Sequence, residues 1–245
     1  MDIEIRNIEK VFVTESVQTM ALNKVSFKVK DGDFVAIMGP SGCGKSTLLN
    51  ILGLLDNPTS GEYLLDGKEV GSLRENQRTS FRKGKIGFVF QSFNLIEDMN
   101  IRDNIMLPLN NLPLSRDEKR KRVEEVMGLM GISHRSRHYP SQLSGGQQQR
   151  AAIARAVVSR PGLVLADEPT GNLDSKNGTE VMELLSELHR DGATIVMVTH
   201  SQRDASYADY VGIFSKWRKI EVVKWAEDAI YAPIQTTDDK NRSLR

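Results

Sequence analysis

Apolar and polar residues alternate with a period of two in three segments of the first third of the chain. These segments are residues 3–8, 25–29 and 63–65. Such alternation is typical of strands that bury one face and leave the other in water. The turn sequence Asp31-Gly32-Asp33 follows the second segment, and Asp66-Gly67 follows the third. The pattern therefore predicts antiparallel strands joined by short turns.

Three further runs are apolar at nearly every position, at residues 34–38, 163–166 and 194–199. Because neither face of such a strand is polar, we expect both faces to be buried, as in parallel strands covered by helices. These runs predict the parallel part of an α/β core.

Helical signals replace strand signals between about residues 92 and 160. Ser115 is placed to cap a helix with apolar residues at helical spacing. A second helix is predicted to start after Ser144 and to stop before Pro161, because proline breaks helices. We interpret 92–160 as a helical subdomain inserted into a single domain of residues 1–234, which a polar tail at 235–245 follows.

The composition fits a folded domain without a strong overall charge. Of 245 residues, 39% are hydrophobic, and 33 Lys and Arg against 32 Asp and Glu leave a formal net charge of +1. No overall field therefore attracts nucleic acid or anionic lipid. We expect no nucleic-acid partner, and contact with a membrane only through another protein.

The sequence favours a cytoplasmic location. The first residues carry acids and no apolar core of signal-peptide length. The most apolar stretch, 48–55, is shorter than the roughly 20 residues needed to cross a bilayer. A single cysteine, Cys43, excludes an intrachain disulfide and a cysteine metal cluster.

Residues 39–46 match the G-x-x-x-x-G-K-[ST] pattern of a phosphate-binding loop. An apolar strand precedes them and a helix predicted at 47–55 follows, which is the context that the pattern needs. Lys45 would reach the β- and γ-phosphates, and the Ser46 hydroxyl would bind Mg²⁺. The alternative is a glycine-rich turn that carries a lysine by chance. The predicted phosphate contacts are Gly39, Pro40, Ser41, Gly42, Cys43, Gly44, Lys45, Ser46 and Thr47.

Two acids follow the apolar run 163–166. Asp167 could hold Mg²⁺ through water, whereas Glu168 points the other way and could orient or deprotonate the attacking water. A pair of acids after a strand is more often a solvated strand end. The phosphate loop upstream makes the catalytic interpretation the stronger one.

Residues 143–147 read Leu-Ser-Gly-Gly-Gln. Taken alone, they describe a helix N-terminus with Ser144 as its cap. A helix N-terminus with two exposed glycines also binds anions. Since the chain already has a complete phosphate loop, a second surface without a lysine suggests contact with another molecule's nucleotide.

The order and spacing of these motifs resemble those of the ATP-binding cassette (ABC) ATPases, whose signature is Leu-Ser-Gly-Gly-Gln. The resemblance covers about residues 2–214. It implies adenine stacking by Phe12, a metal-ligating and sensing role for Gln91, and a switch role for His200. Each has a structural alternative: a core aromatic, a polar strand end and a hydrogen-bonded histidine. The resemblance also implies nucleotide contacts from Ser144, Gly145, Gly146, Gln147 and Asp174.

The resemblance implies a fold and an assembly. The fold is α/β, a P-loop NTPase core with a mixed sheet, an N-terminal antiparallel β subdomain and an inserted α-helical subdomain. Two chains would form a head-to-tail homodimer, in which ATP and Mg²⁺ on one chain meet the signature of the other. The implied catalytic residues are Glu168, His200 and Lys45, and the implied metal ligands are Ser46, Gln91 and Asp167.

Residues 88–95 and 143–155 resemble the lipoprotein-release, macrolide-export and cell-division branch of the family. Members of that branch work with an integral membrane permease, which implies a position on the cytoplasmic face of the inner membrane. Four apolar residues could receive a coupling helix of the permease or could pack the subdomain's own core. These residues are Phe93, Leu95, Ile96 and Met99.

Three positions depart from the commoner family pattern. Phe12 replaces tyrosine, Asn172 stands where alanine or serine is frequent, and Ser201 follows the histidine where aspartate is frequent. After Phe214 no family feature is carried over.

Two other functions compete with a transporter subunit. A soluble ABC ATPase acting on nucleic acid or ribosomes is disfavoured, because the insert is compact and the chain has a single ATPase unit. A regulator that binds ATP without hydrolysing it is disfavoured because Glu168 and His200 are both present.

Overall fold

The computed structural model describes residues 1–14, 18–214 and 221–224. Its strands form two sheets. The strands are β1 (Ile3–Val13), β2 (Gln18–Val29), β3 (Phe34–Met38), β4 (Ser60–Leu65), β5 (Lys68–Glu69), β6 (Ile86–Val89), β7 (Leu163–Asp167), β8 (Thr194–Thr199), β9 (Tyr210–Ile213) and β10 (Glu221–Lys224). The helices are α1 (Lys45–Leu52), α2 (Glu75–Arg82), α3 (Ile101–Met106), α4 (Arg116–Leu129), α5 (Gly145–Val157), α6 (Ser175–Arg190) and α7 (Gln202–Ala205). Short 3₁₀ turns lie at Leu107–Leu109, Ser133–Arg135 and Pro140–Gln142.

The larger sheet has the strand order β10-β9-β3-β8-β7-β6. Its neighbours pair in parallel, except that β10 runs antiparallel to β9 at the edge. Every residue of β8 is buried, and only the last residue of β3 is partly exposed. The three apolar runs are therefore confirmed as parallel strands with both faces covered.

Alternate side chains of these strands enter two different hydrophobic cores. Phe34 and Ala36 belong to the core that includes residues of α3 to α6, whereas Val35 and Ile37 belong to the core of α1 and the smaller sheet. Because side chains alternate across a strand, one short apolar strand serves both layers. The central strands are thus held from both sides, which gives their carboxyl ends fixed positions.

The smaller sheet has the order β2-β1-β4-β5, and all its pairs are antiparallel. Ile3 pairs with both Val29 and Leu65, so the alternating apolar residues share one face. Asp66 and Gly67 form the turn between β4 and β5 with φ values of 49° and 72°. This left-handed conformation is that of a two-residue hairpin turn. The predicted antiparallel strands are confirmed.

Helices α4 and α5 begin where their capping residues predict. Ser115 and Glu118 form a reciprocal capping box before α4, and Ser144 and Gln147 form one before α5. Residues 92–100 contain no helix, so the helical part starts at α3. The boundaries of the inserted subdomain and of the 1–234 domain stay predictions, and the tail at 235–245 lies outside the described residues. No helix in the described ranges is long and apolar enough to cross a membrane.

Helix α1 covers residues 45–52, and the prediction of 47–55 is wrong at both ends. Gly44 has a φ of 103°, which allows the helix to begin directly after it. The helix ends at Gly53, where a Cβ would lie only 2.0 Å from the Phe88 ring. Leu54 then adopts a left-handed φ of 55°. Two glycines, rather than the apolar run, set the limits of this helix.

Strands β3, β7 and β8 end at one edge of the larger sheet. Met38 pairs with Thr199, and Asp167 pairs with Val198. Since the carboxyl ends of parallel strands share an edge, the loop after β3 meets the acids of β7 and the histidine after β8. This edge carries the candidate site.

Candidate functional site

The loop between β3 and α1 curls around the side chain of Lys45. The Lys45 ammonium donates hydrogen bonds to the backbone carbonyls of Gly39 at 2.8 Å and Pro40 at 3.0 Å. Gly44 packs so closely against β2 that a Cβ would lie 2.4 Å from the carbonyl oxygen of Ala21. The glycine thus permits the close approach, and the buried ammonium places a positive charge inside the loop.

This loop opens into a cleft of about 660 Å³, a size typical of small-molecule sites. Six of the nine predicted loop residues meet the predicted metal ligands and catalytic residues there, whereas Gly39, Pro40 and Cys43 do not line the cleft, and Cys43 is buried in a hydrophobic core. The lining residues are Thr19, Met20, Ala21, Ser41, Gly42, Gly44, Lys45, Ser46, Thr47, Gln91, Asp167, Glu168 and His200.

Oxygen donors suited to a divalent cation lie together in this cleft. The Ser46 hydroxyl donates to Asp167 Oδ1 at 3.3 Å, and Gln91 lines the same cavity. Burial raises the pKa of Asp167, although the hydrogen bond from Ser46 opposes the rise. A bound cation would instead favour the ionised carboxylate.

These donors fit Mg²⁺. Hydroxyl, carboxylate and amide oxygens are hard ligands, and Mg²⁺ usually takes one or two carboxylates together with substrate phosphates. The described residues contain no group of three or more His, Cys, Asp or Glu that could hold a metal.

Contacts from the end of β8 hold Glu168. His200 Nδ1 lies 2.8 Å from its Oε2, which accepts hydrogen bonds from the Thr199 hydroxyl and the His200 backbone N–H at 3.4 Å each. Glu168 has a φ of 46°, a conformation that is costly for non-glycine residues and recurs at active sites. The two neighbouring acids thus have different partners, Asp167 with Ser46 and Glu168 with His200.

The signature segment lies outside this cleft. Ser144 Oγ accepts from the Gln147 N–H at 3.4 Å, and Gln147 Oε1 accepts from the Ser144 N–H at 3.2 Å. Ser144 is exposed, but Gly145 is half-buried and Gly146 is buried, so the prediction of two exposed glycines is wrong. None of the three lines the cavity around Lys45. The structure therefore separates the two predicted phosphate surfaces within one chain.

Asp174 caps helix α6 and does not line the cleft either. Its Oδ1 accepts from the Asn177 N–H at 2.9 Å, and its Oδ2 accepts from Asn177 Nδ2 at 2.7 Å. The backbone hydrogen bond from Asn177 lowers the pKa of Asp174. Asn177 also touches the signature, since a Cβ on Gly146 would lie 2.2 Å from its Oδ1. The N-termini of α5 and α6 are thus joined, and a nucleotide contact from Asp174 stays a prediction.

Phe12 lies on β1, opposite Thr19 of β2, which lines the cleft. The side chain of Phe12 is 44% exposed, and the Lys10 ammonium lies 5.1 Å from its ring centroid. It is therefore not a core aromatic. Thr19, Met20 and Ala21 also line the cleft and were not predicted, because their place there depends on the packing of β2 against the phosphate loop at Gly44. Adenine stacking by Phe12 stays a prediction.

A buried carboxylate links two segments of the site. Asp204 is 1% exposed, accepts a short hydrogen bond from the Thr170 hydroxyl, and accepts another from Arg203 Nε at 3.2 Å. It therefore ties the chain that follows Glu168 to the helix that follows His200. Sequence analysis missed Asp204, because an acid in a short polar helix is normally exposed.

A glycine loop around a lysine, two acids and a histidine at neighbouring ends of parallel strands define a P-loop ATPase. A family model described as ABC transporter matches residues 22–171. The chain belongs to the ABC transporter family and is one of its ATPase cassettes.

Known relatives agree with this family and with the predicted fold class. An uncharacterized ABC transporter ATP-binding protein of Methanocaldococcus jannaschii is 48% identical over 85% of this chain and 93% of its own length. The macrolide export ATP-binding/permease protein MacB of Chlorobium luteolum is 48% identical over 85% of this chain, which spans only 31% of that protein. A dimeric ATP-binding cassette in a post-hydrolysis state, bound to ADP and Pi, superposes with a TM-score of 0.83 at 41% identity, over 91% of this chain and 98% of that one.

Proposed function

We propose that this chain is the ATP-binding subunit of a transporter and hydrolyses ATP to ADP and phosphate to drive a separate membrane permease. The observation that carries this proposal is the single cleft in which Lys45, the Ser46 and Asp167 pair, and the Glu168 and His200 pair meet. Such a cleft contains both binding groups and a base, whereas a regulator that only binds ATP needs no base.

Lys45 supplies the charge that binds the phosphates. Its ammonium donates to two loop carbonyls, and the β- and γ-phosphates would become its stronger partners, because an ammonium is attracted more strongly to a charged phosphate oxygen than to a neutral carbonyl oxygen. Ser46, Gln91 and Asp167 would hold Mg²⁺. Mg²⁺ would neutralise charge on the phosphates.

Glu168 is the proposed base. As the oxygen of the attacking water bonds to the γ-phosphorus, the bond from that phosphorus to the bridging oxygen of ADP breaks and the water proton passes to the carboxylate. His200 orients this carboxylate through its 2.8 Å contact with Oε2. The imidazole would also contact the γ-phosphate of bound ATP.

The exposed helix tip supports a shared nucleotide. Ser144 lies at the N-terminus of α5, where backbone N–H groups attract anions, yet it is outside the cleft of its own chain. We therefore propose a head-to-tail homodimer, in which Ser144 and Gly146 of one chain cover the ATP that Lys45 of the other holds. ATP binding would close this dimer, and hydrolysis would release it.

A groove lined by residues of α2, β6 and α5 is the proposed contact with the permease. Its apolar lining comes mainly from Leu55, Phe88, Phe90 and Pro108, and Arg82 and Arg155 add charge. An apolar groove of this kind suits an amphipathic helix. The proposal places the chain on the cytoplasmic face of the membrane, where it would serve export, lipoprotein release or force transmission.

The predicted apolar cup lies apart from this groove and stays a prediction. Leu95 packs against the helical core, which agrees with the alternative interpretation for that residue. Phe93 and Met99 are half-buried, and Ile96 is 42% exposed. None of the four lines the groove, so the groove is a second candidate for the contact with a coupling helix, separate from the cup.

Replacing Leu55 with glutamate should release the permease. Leu55 is 40% exposed in the groove, so the change should spare the fold but bury a charge in the contact, which we expect to lower co-purification of the membrane protein at least about tenfold. The matched control is Leu129→Glu, an exposed leucine outside the groove. Equal recovery of the membrane protein with both variants would exclude the groove.

The basic residues of helix α4 argue against a nucleic-acid partner. On α4, Arg120 lies 3.2 Å from Asp117, and Lys121 lies 3.9 Å from Glu125. Side chains that alternate in sign and pair with one another form a solvated helix face rather than a phosphate-binding stripe.

Replacing Lys45 with alanine tests the ATPase function. The variant lacks the positive charge of the lysine that would bind the phosphates, so we expect Mg²⁺-dependent ATP hydrolysis to fall about 100-fold or more. Phosphate release measures the effect, and Lys30→Ala, an exposed lysine before β3, is the control. A melting temperature near that of the wild type would show that the loop tolerates the loss of two hydrogen bonds. Unchanged hydrolysis in a folded Lys45→Ala chain would contradict the proposed function.

A further inference from the structure

We propose that Asn172 is a positioning residue, which orients the side-chain amide of Gln91 for the metal site. The inference rests on the proposed function, in which Gln91 binds Mg²⁺ through its amide oxygen. It assigns a role to an asparagine that stands where the commoner family pattern has alanine or serine.

Two hydrogen bonds join these residues across 81 positions of the sequence. Asn172 Nδ2 donates to the backbone carbonyl of Gln91 at 2.9 Å. Gln91 Nε2 donates to Asn172 Oδ1 at 3.3 Å. The bonds connect the segment that follows β6 with the segment between β7 and α6.

The chemistry of the backbone determines which way both amides point. A carbonyl oxygen only accepts hydrogen bonds, so Asn172 must present its NH₂ group to Gln91 and its Oδ1 then faces the Gln91 side chain. Because Oδ1 also only accepts, Gln91 must present Nε2 to it. The oxygen of the Gln91 amide is therefore the end that Asn172 leaves for another ligand, and oxygen is the atom that a hard cation binds.

The surroundings connect this orientation to the cleft. Gln91 lines the same cavity as Ser46 and Asp167. A Cβ on Gly171 would lie 2.7 Å from Gln91 Nε2, so the glycine lets the amide lie directly against this segment. A Cβ on Gly145 would lie 3.9 Å from the backbone oxygen of Asn172. Asn172 therefore lies between a proposed metal ligand and the signature helix of its own chain.

The test compares Asn172→Ala, Gln91→Ala and the double variant with the wild type. The first measurement is the Mg²⁺ concentration that gives half-maximal ATPase activity. The second is the equilibrium affinity for a fluorescent, non-hydrolysable ATP analogue, with Mg²⁺ and with EDTA. Asn76→Ala, an exposed asparagine of α2, is the control. All variants should melt within about 2 °C of the wild type, because the two hydrogen bonds are exposed.

Asn172→Ala should raise the half-maximal Mg²⁺ concentration about three- to tenfold, a range expected for lost hydrogen bonds. It should lower the affinity for the ATP analogue by a similar factor when Mg²⁺ is present and leave the affinity in EDTA unchanged. In the Gln91→Ala background the same substitution should add nothing, because an orienting residue has no effect once its target is removed.

Any of four outcomes would overturn the inference. The first is that Asn172→Ala raises the half-maximal Mg²⁺ concentration by the same factor in the wild-type and the Gln91→Ala backgrounds. The second is weaker binding in EDTA. The third is a shift in Gln91→Ala but none in Asn172→Ala, which overturns the role of Asn172 alone. If Gln91→Ala leaves the Mg²⁺ dependence unchanged, the metal role of Gln91 fails and the inference with it, whereas loss of hydrolysis in Lys45→Ala supports the ATPase function separately.

Discussion

Replacing Glu168 with glutamine is expected to lower the ATPase rate about 100- to 1000-fold, because a general base contributes typically 10²–10⁴ to a rate. The glutamine oxygen still accepts from His200 and Thr199, as the glutamate does, but an amide does not take the proton of the attacking water. ATP should therefore close the dimer and remain bound, since hydrolysis is the step that opens it. Phosphate release measures the rate, and size-exclusion chromatography with ATP measures the dimer.

Glu187→Gln is a suitable control for the Glu168 variant, because it removes an exposed acid of α6 by the same substitution. It should keep the wild-type rate and form no lasting dimer. A Glu168→Gln chain that hydrolyses ATP within about tenfold of the wild type would show that another group takes the proton. A variant that binds ATP and stays monomeric would contradict the shared nucleotide.

The parts of the site that the sequence predicted are those that neighbouring residues build. Lys45 and Ser46 lie in one run between a buried strand and a helix, so a short pattern is enough to place them. Asp167 and Glu168 end a strand whose apolar run marks it as central. The cap at Ser144 is also local, because its partner is Gln147, three residues away.

Contacts between distant segments could not be predicted from the sequence. Asn172 meets Gln91 only because the ends of β6 and β7 are adjacent in the sheet. Thr19 lines the cleft because β2 packs against the phosphate loop, where a Cβ on Gly44 would lie 2.4 Å from the Ala21 carbonyl oxygen. In both cases the residue types are ordinary for exposed loops and strands, and tertiary pairing decides their role. Helix α6 is different, because Val181, Leu184 and Leu185 repeat at helical spacing, so its signal was present and was missed.

The departure at Ser201 shows how a local change is accommodated by the fold. Serine caps helix α7 by accepting from the backbone N–H of Asp204 at 3.2 Å, so the cap does not need the frequent aspartate. A carboxylate is nevertheless present at Asp204, where it is buried and bonds the Thr170 hydroxyl. Asp204 thus provides a carboxylate in the helix that follows His200, and its hydrogen bond with Thr170 connects this helix to the segment that follows Glu168.

Replacing Ser144 with aspartate should abolish ATP-dependent dimerisation, and hydrolysis with it, without unfolding the chain. Aspartate caps a helix as well as serine does and favours its N-terminus through its charge. In the proposed dimer, however, the new carboxylate lies against the triphosphate held by the other chain. Two unit charges about 4 Å apart at an effective dielectric constant near 20 repel by about 4 kcal/mol, so the repulsion at either one of the two sites alone corresponds to a dimer about 1000-fold weaker.

Ser144→Asn is the matched control, because it keeps the cap and nearly the same size but lacks the charge. Both variants should bind ATP as monomers with wild-type affinity, since Ser144 does not line the cleft of its own chain. Sedimentation with ATP in the Glu168→Gln background measures the dimer, and only the aspartate variant should fail to form it. Higher salt should recover part of that loss, because screening weakens repulsion between partly exposed charges. Equal dimerisation of the two variants would exclude a phosphate at the helix tip and leave the capping of α5 as the role of Ser144.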